Sequence, residues 1–226
     1  VHPLFWLCAA LLGGSLLHNS LLWWLVWIGV VFVAILVHEL GHALAYRFYG
    51  CQAAIILWMF GGLTITDHVP HRRGARLLVT LAGPLSGFAV AAMLYITARW
   101  TNWLSQAAPP ALVFAYILLI QVNLYWGVFN LLPVLPLDGG QVCRELCEAW
   151  RPGQGLYWAW QISLWTAAVL TLYSILCWLE STRGGGLLAD HLPSWFPRGD
   201  WWTGLLFGVL AWQSYQQLQH LRRWMH

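Results

Sequence analysis

The feature that most constrains this chain is a succession of apolar stretches, each close to the length that crosses a lipid bilayer. A spanning helix needs roughly 20 predominantly apolar residues. Such stretches run over residues 4–17 (short), 21–46, 77–98, 111–132, 156–179 and 201–218. Of the 226 residues, 60% are hydrophobic and only 8% charged, against about 25% charged in an ordinary soluble domain. A water-soluble fold of this length has no way to hide so much apolar surface. The chain therefore reads as an all-α polytopic membrane protein of about six transmembrane helices. The 18 Trp agree, because indole rings favour the membrane–water boundary. Trp23, Trp24, Trp100, Trp103, Trp195, Trp201 and Trp202 all stand at the edges of apolar runs.

Two segments interrupt the helical pattern. Residues 53–66 (AAIILWMFGGLTIT) are rich in Ile and Thr, with Gly61-Gly62 between two apolar runs. That pattern predicts a small re-entrant or interfacial β-hairpin turning at the glycines. Open strands are not tolerated against lipid, so it must be buried in protein or line a cavity. The second interruption is 132–141 (LPVLPLDGGQ), where Pro133 and Pro136 forbid a continuous helix. One membrane domain over 1–226 is expected, as no linker, repeat or low-complexity run stands out.

The eleven basic residues are all Arg, and they do not cluster as a nucleic-acid footprint. With the C-terminal end of the second stretch placed in the cytoplasm, Arg47, Arg72, Arg73, Arg76, Arg144, Arg151, Arg222 and Arg223 fall inside. Arg99, Arg183 and Arg198 fall outside. This satisfies the positive-inside rule. The five Cys lack a C-x-x-C pair and give no disulfide framework; Cys143 and Cys147 share a helix face as small apolar residues.

Of eight carboxylates, Asp67, Glu145, Glu148, Glu180, Asp190 and Asp200 lie at expected edges or loops. Glu39 and Asp138 do not. An acid at membrane depth costs about 2.5–3.5 kcal/mol on insertion scales, so one kept there has a partner or a task. Glu39 belongs to His38-Glu39-Leu40-Gly41-His42, an H-E-x-x-H pattern inside an apolar helix. The two His at i and i+4 present both imidazoles from one face to one Zn²⁺, and the Glu accepts a proton from the attacking water. A catalytic zinc takes three protein ligands. Asp138 is the best third candidate; His68 and His71, in a charged loop, are the other residues able to approach. One Zn²⁺ per chain is expected.

His38–His42, followed by Ala82-Gly83-Pro84 and then by Asn130-Leu-Leu-Pro-Val-Leu-Pro-Leu-Asp138-Gly-Gly, resembles the site-2 protease family of intramembrane metalloproteases, over a core of about 21–150. The resemblance implies His38, His42 and Asp138 as zinc ligands and Glu39 as the catalytic acid/base. It implies that Asn130 contacts substrate or the developing oxyanion, and that the hairpin around Gly61 and Gly62 pairs with an extended substrate. The implied activity is hydrolysis of peptide bonds in membrane-anchored proteins, in a bacterial inner membrane, with the active site towards the cytoplasm. Ser86-Gly87 stands where many members carry Asn, so no polar role is carried over there. The Thr101–Pro110 connection is too short for a PDZ domain, and the segment after Arg198 is too short and apolar for a CBS pair.

Three competing readings are weaker. A di-iron oxidase needs more His boxes than one pair. A transporter site brings an expectation of repeat symmetry that is not seen. A non-catalytic scaffold of the same fold, binding membrane proteins without cutting them, does not require Glu39.

Overall fold

A computed structural model describes residues 1–18, 20–59, 61–101, 108–183 and 199–224. Trp103, Trp195, Asp190 and Arg198 lie outside the described residues. The chain forms two compact units, 1–131 and 132–226.

In the first unit, helix α1 spans Pro3–Leu12 and α2 Gly14–Leu17. Pro3 suits the first helical turn, where its missing N–H is no loss. The His2 ring accepts the Leu4 N–H at 3.2 Å. Helix α3 covers Leu21–Phe48, opened by the Ser20 hydroxyl accepting from Leu22 N–H. Helix α4 covers Arg73–Thr101 and α5 covers Pro110–Asn130. The N–H groups of Trp24 and Trp27 donate to the carbonyls of Ala10 and Ala9. These carbonyls at the end of α1 have few intrahelical partners, so the two indoles tie α1 to α3.

Between α3 and α4 lies the hairpin, β1 (Ala53–Trp58) and β2 (Gly61–Thr66), antiparallel with Ala53 opposite Thr66 and Trp58 opposite Gly61. The hairpin is as expected, but its turn is not. Gly61 and Gly62 open β2, paired with Trp58 and Leu57, and a positive φ stands on Met59, just after β1. The glycines are needed for close approach instead. A Cβ on Gly62 would stand 2.1 Å from Glu39 Cγ, and one on Gly61 would rest 3.4 Å from the Trp126 indole. Leu57 sits in a buried cluster with Phe5, Ala9, Val31 and Ile35, so the strands are held against protein.

The second unit begins with a non-helical segment, 131–137, followed by α6 (Asp138–Trp150), α7 (Gly155–Arg183) and α8 (Trp201–Trp224). The break predicted over 132–141 is therefore shorter. Asp138, Gly139, Gly140 and Gln141 are already helical. An acid in the first turn is favoured by the unpaired N–H groups there. Gly140 allows α6 to lie against the chain that precedes it, since a Cβ would stand 2.6 Å from the Leu135 nitrogen. Helices α7 and α8 meet through small and hydroxylated residues. Ser163 and Ser214 are fully buried with their hydroxyls 2.8 Å apart, and the Leu135 N–H donates to Ser163 at 2.9 Å.

Among the described residues, four helices are long and apolar enough to cross a membrane: Leu21–Phe48, Arg73–Thr101, Pro110–Asn130 and Gly155–Thr182. Of the about six apolar stretches, those forming α1 and α8 fall outside this set. Helix α1, at ten residues, rises only about 15 Å, half a bilayer core. Helix α8 is long, but Gln213, Gln216, Gln217, Gln219, His220, Arg222 and Arg223 make its second half polar. Large apolar side chains point outwards from the four, among them Val33, Leu44, Leu78, Met93, Leu124, Val128, Val169 and Leu172. On a multi-pass membrane protein these are the lipid-facing surface.

Candidate metal centre

The centre is built on one turn of α3. His38, Glu39 and His42 are 3%, 5% and 8% exposed, in a helix whose remaining side chains there are apolar. Burying three ionisable groups in five residues is costly unless they are paired or bind an ion. The i, i+4 spacing does what the helical period dictates and sets the His38 and His42 Nε2 atoms 3.2 Å apart. Two nitrogens held at ~2.0–2.1 Å on a tetrahedral Zn²⁺ stand roughly 3.3 Å from each other. The pair therefore fits that ion without rearrangement.

The tautomer of His42 follows from its second nitrogen. Nδ1–H donates to the Val79 carbonyl at 2.8 Å, and a carbonyl only accepts. Nε2 is left with its lone pair towards His38. A metal-binding imidazole needs this arrangement, in which the partner of one nitrogen orients the other. Helix α4 supplies that partner by coming unusually close. A Cβ on Gly83 would stand 2.2 Å from His42 Nε2, and one on Gly41 would stand 2.3 Å from the Ala82 carbonyl oxygen. Ser86, given no polar role from sequence, bonds across the same contact: its Oγ lies 2.9 Å from the Val37 carbonyl and 2.7 Å from that of Gly83. Small residues and cross-helix hydrogen bonds of this kind hold helices together in lipid, where apolar burial gives no preference for protein over acyl chains.

Glu39 is met by the hairpin. Its Oε2 accepts a hydrogen bond from Thr64 Oγ1 at 2.7 Å, and its side chain lies over Gly62. Gly62 thus sits against the site, and Gly61 sits against Trp126, whose ring centroid is 6.5 Å from that of His38. Asn130 ends α5, buried, with its Nδ2 donating to the Trp126 carbonyl at 2.9 Å. One amide proton is thereby used within its own helix. His68 is more than half exposed, with Nδ1 2.9 Å from Asp67 Oδ1. The pKa of Asp67 lies below its ordinary value: slight desolvation raises it, but the Gln52 and His68 N–H groups and the His68 ring outweigh that. His68 is thus engaged in a surface turn. In the second unit, Asp138 is half-buried as the first residue of α6.

Three comparisons bear on this geometry. Residues 101–172 match the model of Peptidase family M50. A zinc metalloprotease of Methanocaldococcus jannaschii is 33% identical over 137 residues, 60% of this chain and 38% of that protein. Rip3 of Mycobacterium tuberculosis is 33% identical over 152 residues, 65% of this chain and 37% of its own. The structure of a site-2 protease from M. jannaschii superposes with a TM-score of 0.61 at 25% identity, over 96% of this chain and 88% of that one. The chain is similar to site-2 proteases, in sequence over 60–65% of its length and in fold over 96% of it. It spans less than two-fifths of the length of the first two curated relatives.

Sequence reasoning found the two imidazoles and the acid between them. It missed Thr64, the Val79 carbonyl and the contact of Gly83 with His42. A backbone carbonyl leaves no mark in a sequence. Thr64 left a faint one, a hydroxyl two positions from Gly62 and so on the same face of a strand.

Proposed function

We propose that this chain is a zinc-dependent endopeptidase that hydrolyses peptide bonds of membrane-anchored proteins at membrane depth. The observation that carries the reading is the buried His38–His42 pair at zinc spacing, with the Glu39 carboxylate one residue away. His38 and His42 hold one Zn²⁺ through Nε2. Asp138 is proposed as the third ligand. Support comes from its place after the Asn130–Pro133 segment and from the way that segment is secured, with the Leu135 N–H on Ser163 and Gly140 packed on Val134 and Leu135. An acid on such a segment is pre-placed by packing, whichever partner it serves.

Bound zinc supplies Lewis acidity to a water and to the scissile carbonyl. Glu39 does the proton work. Its Oε1, which takes no hydrogen bond among the described residues, accepts the water proton as the oxygen attacks the carbonyl carbon. It then gives that proton to the leaving nitrogen as the C–N bond breaks. Asn130 has one amide N–H left to offer an oxyanion after its bond to Trp126. The substrate must be extended, since a helix hides its carbonyls. An edge of the hairpin is the proposed docking strand. The edge of β1 already accepts the His2 N–H on Leu57 O, which favours β2, the strand bearing Gly61 and Gly62.

With all six apolar stretches crossing, the Arg distribution supports an opening towards the cytoplasm, and a bacterial inner membrane is the proposed location. The test is cleavage of single-span proteins by the purified chain, with zinc content measured alongside. Cleavage is expected to vanish with chelator and to fall about 10²–10⁴-fold in Glu39→Gln, with one zinc per chain in wild type and less in Asp138→Asn. Cleavage surviving both chelation and Glu39→Gln would falsify the reading. Binding without cleavage by the zinc-loaded wild type would favour the scaffold.

A further inference from the structure

We propose that Thr64 is a positioning residue for the Glu39 carboxylate, acting from β2 across to α3 through its hydroxyl. The inference rests on Glu39 being the acid/base group. Thr64 Oγ1 lies 2.7 Å from Glu39 Oε2 and 3.3 Å from the Glu39 backbone oxygen. One proton serves one good acceptor, and the shorter distance identifies the carboxylate. Hydrogen bonds to an ionised acceptor are shorter and stronger than neutral ones.

Among the described residues, no other hydrogen bond or ion pair reaches this carboxylate. A glutamate has three side-chain torsions, and burial alone does not select among them. Two residues on one face of β2 make the selection. Gly62 leaves open the space the side chain occupies, where a Cβ would stand 2.1 Å from Cγ and 2.5 Å from Oε1. Thr64, two residues along and on the same face, pins Oε2. Oε1 is left to exchange a proton with substrate. The strand beside the site thus doubles as the support that holds the acid/base in one orientation.

A bland reading assigns Thr64 only to packing of the hairpin on α3, and two substitutions separate the readings in opposite directions. Thr64→Val keeps shape and loses the donor. Thr64→Ser keeps the donor and loses the methyl. Both are purified as the full chain and loaded with zinc. Cleavage of dye-labelled casein, an unfolded polypeptide, is then followed with zinc content and melting temperature as controls. If Thr64 positions Glu39, Thr64→Val lowers kcat about 10–100-fold with KM little changed, and Thr64→Ser restores most of it.

An infrared readout stands apart from turnover. The carboxyl band assigned to Glu39 by its loss in Glu39→Gln is expected to shift in Thr64→Val and to return in Thr64→Ser. A Glu39 band unmoved by Thr64→Val, or a Val variant at wild-type kcat beside an impaired Ser variant, overturns the proposal. If wild type does not cut casein, the band decides. If Glu39→Gln cuts like wild type, the acid/base reading fails and the positioning role fails with it. A working Glu39 beside a silent Thr64 sinks this inference alone.

Discussion

Both units bury polar side chains in apolar helices, yet the two sets differ in kind. In the first unit the buried groups are His38, Glu39, His42, Asn123 and Asn130. In the second, among the described residues, they are Ser163, Ser174 and Ser214, and one carboxylate, Glu145 on α6, which stands without a His pair beside it. The first set is partly ionisable and confined for three of its members to one helical turn, where His42 and Glu39 are oriented by Val79 and Thr64 from other elements. The serines of the second lie along α7 and α8, where Ser214 bonds to Ser163 and to Leu210 O, each at 2.8 Å. A buried hydroxyl that can return its proton to a carbonyl of its own helix costs little and brings helices together. A buried carboxylate has no such exit. Burial alone therefore does not mark a site in a membrane protein; burial of charge at ligand spacing does.

That contrast can be broken at three points. The largest effect is expected at the contact between α4 and His42. Gly83→Ala places a methyl where the imidazole now lies and is predicted to weaken zinc retention and cleavage by about 10–100-fold. Zinc content against chelator concentration is the measurement, and unchanged retention would show that His42 does not depend on α4. In the second unit, Ser214→Ala removes one interhelix hydroxyl. The expected loss is about 0.6 kcal/mol and at most about 1.7, read by thermal unfolding in detergent, with cleavage unaffected. A Ser214→Ala variant that folds normally and loses activity would mean that the serines are more than packing.

The smallest effect concerns Cys143 on α6, whose thiol faces that of Cys147 at 4.0 Å. Burial first, and the neighbouring Cys147 second, push its pKa from 9.0 up to about 11. The raised value favours the neutral thiol, so the thiolate appears only as pH climbs towards 11. At pH 8 its fraction is about a hundredfold below that of an ordinary cysteine, since each unit is a factor of ten. Alkylation at Cys143 in a variant keeping Cys143 and Cys147, read by mass spectrometry of the labelled peptide, should stay slow through pH 9 and accelerate above it. Rapid labelling at pH 8 would place the thiol in a more polar setting than the structure gives it.

Apolar runs of bilayer length, the H-E-x-x-H turn and the proline break are all local patterns, and each was legible. The helical period alone brings His38 over His42, and Pro133, with no N–H to offer the carbonyl four residues back, keeps α5 from running on. The hairpin was legible as a hairpin, but its turn was misassigned. Gly61-Gly62 read as a turn because turns commonly use glycine. In the structure the glycines answer to Glu39 and Trp126, side chains that come from other elements. Of the apolar stretches, α1 and α8 stand apart from the four helices long and apolar enough to cross. Apolar composition shows compatibility with lipid, whereas crossing also demands length and an apolar second half.

By itself, then, the sequence determined the solvent of this protein, the helix that carries the donor pair and the spacing of the two imidazoles. These depend on periodicities within a few residues. Only the tertiary structure decided which nitrogen of His42 is free, what lies under Glu39 and which hydroxyl holds it. Val79 is 37 residues from His42 and Thr64 is 25 from Glu39. A hydrogen bond between elements needs both to be placed within a few tenths of an ångström, and packing sets that distance, not local propensity.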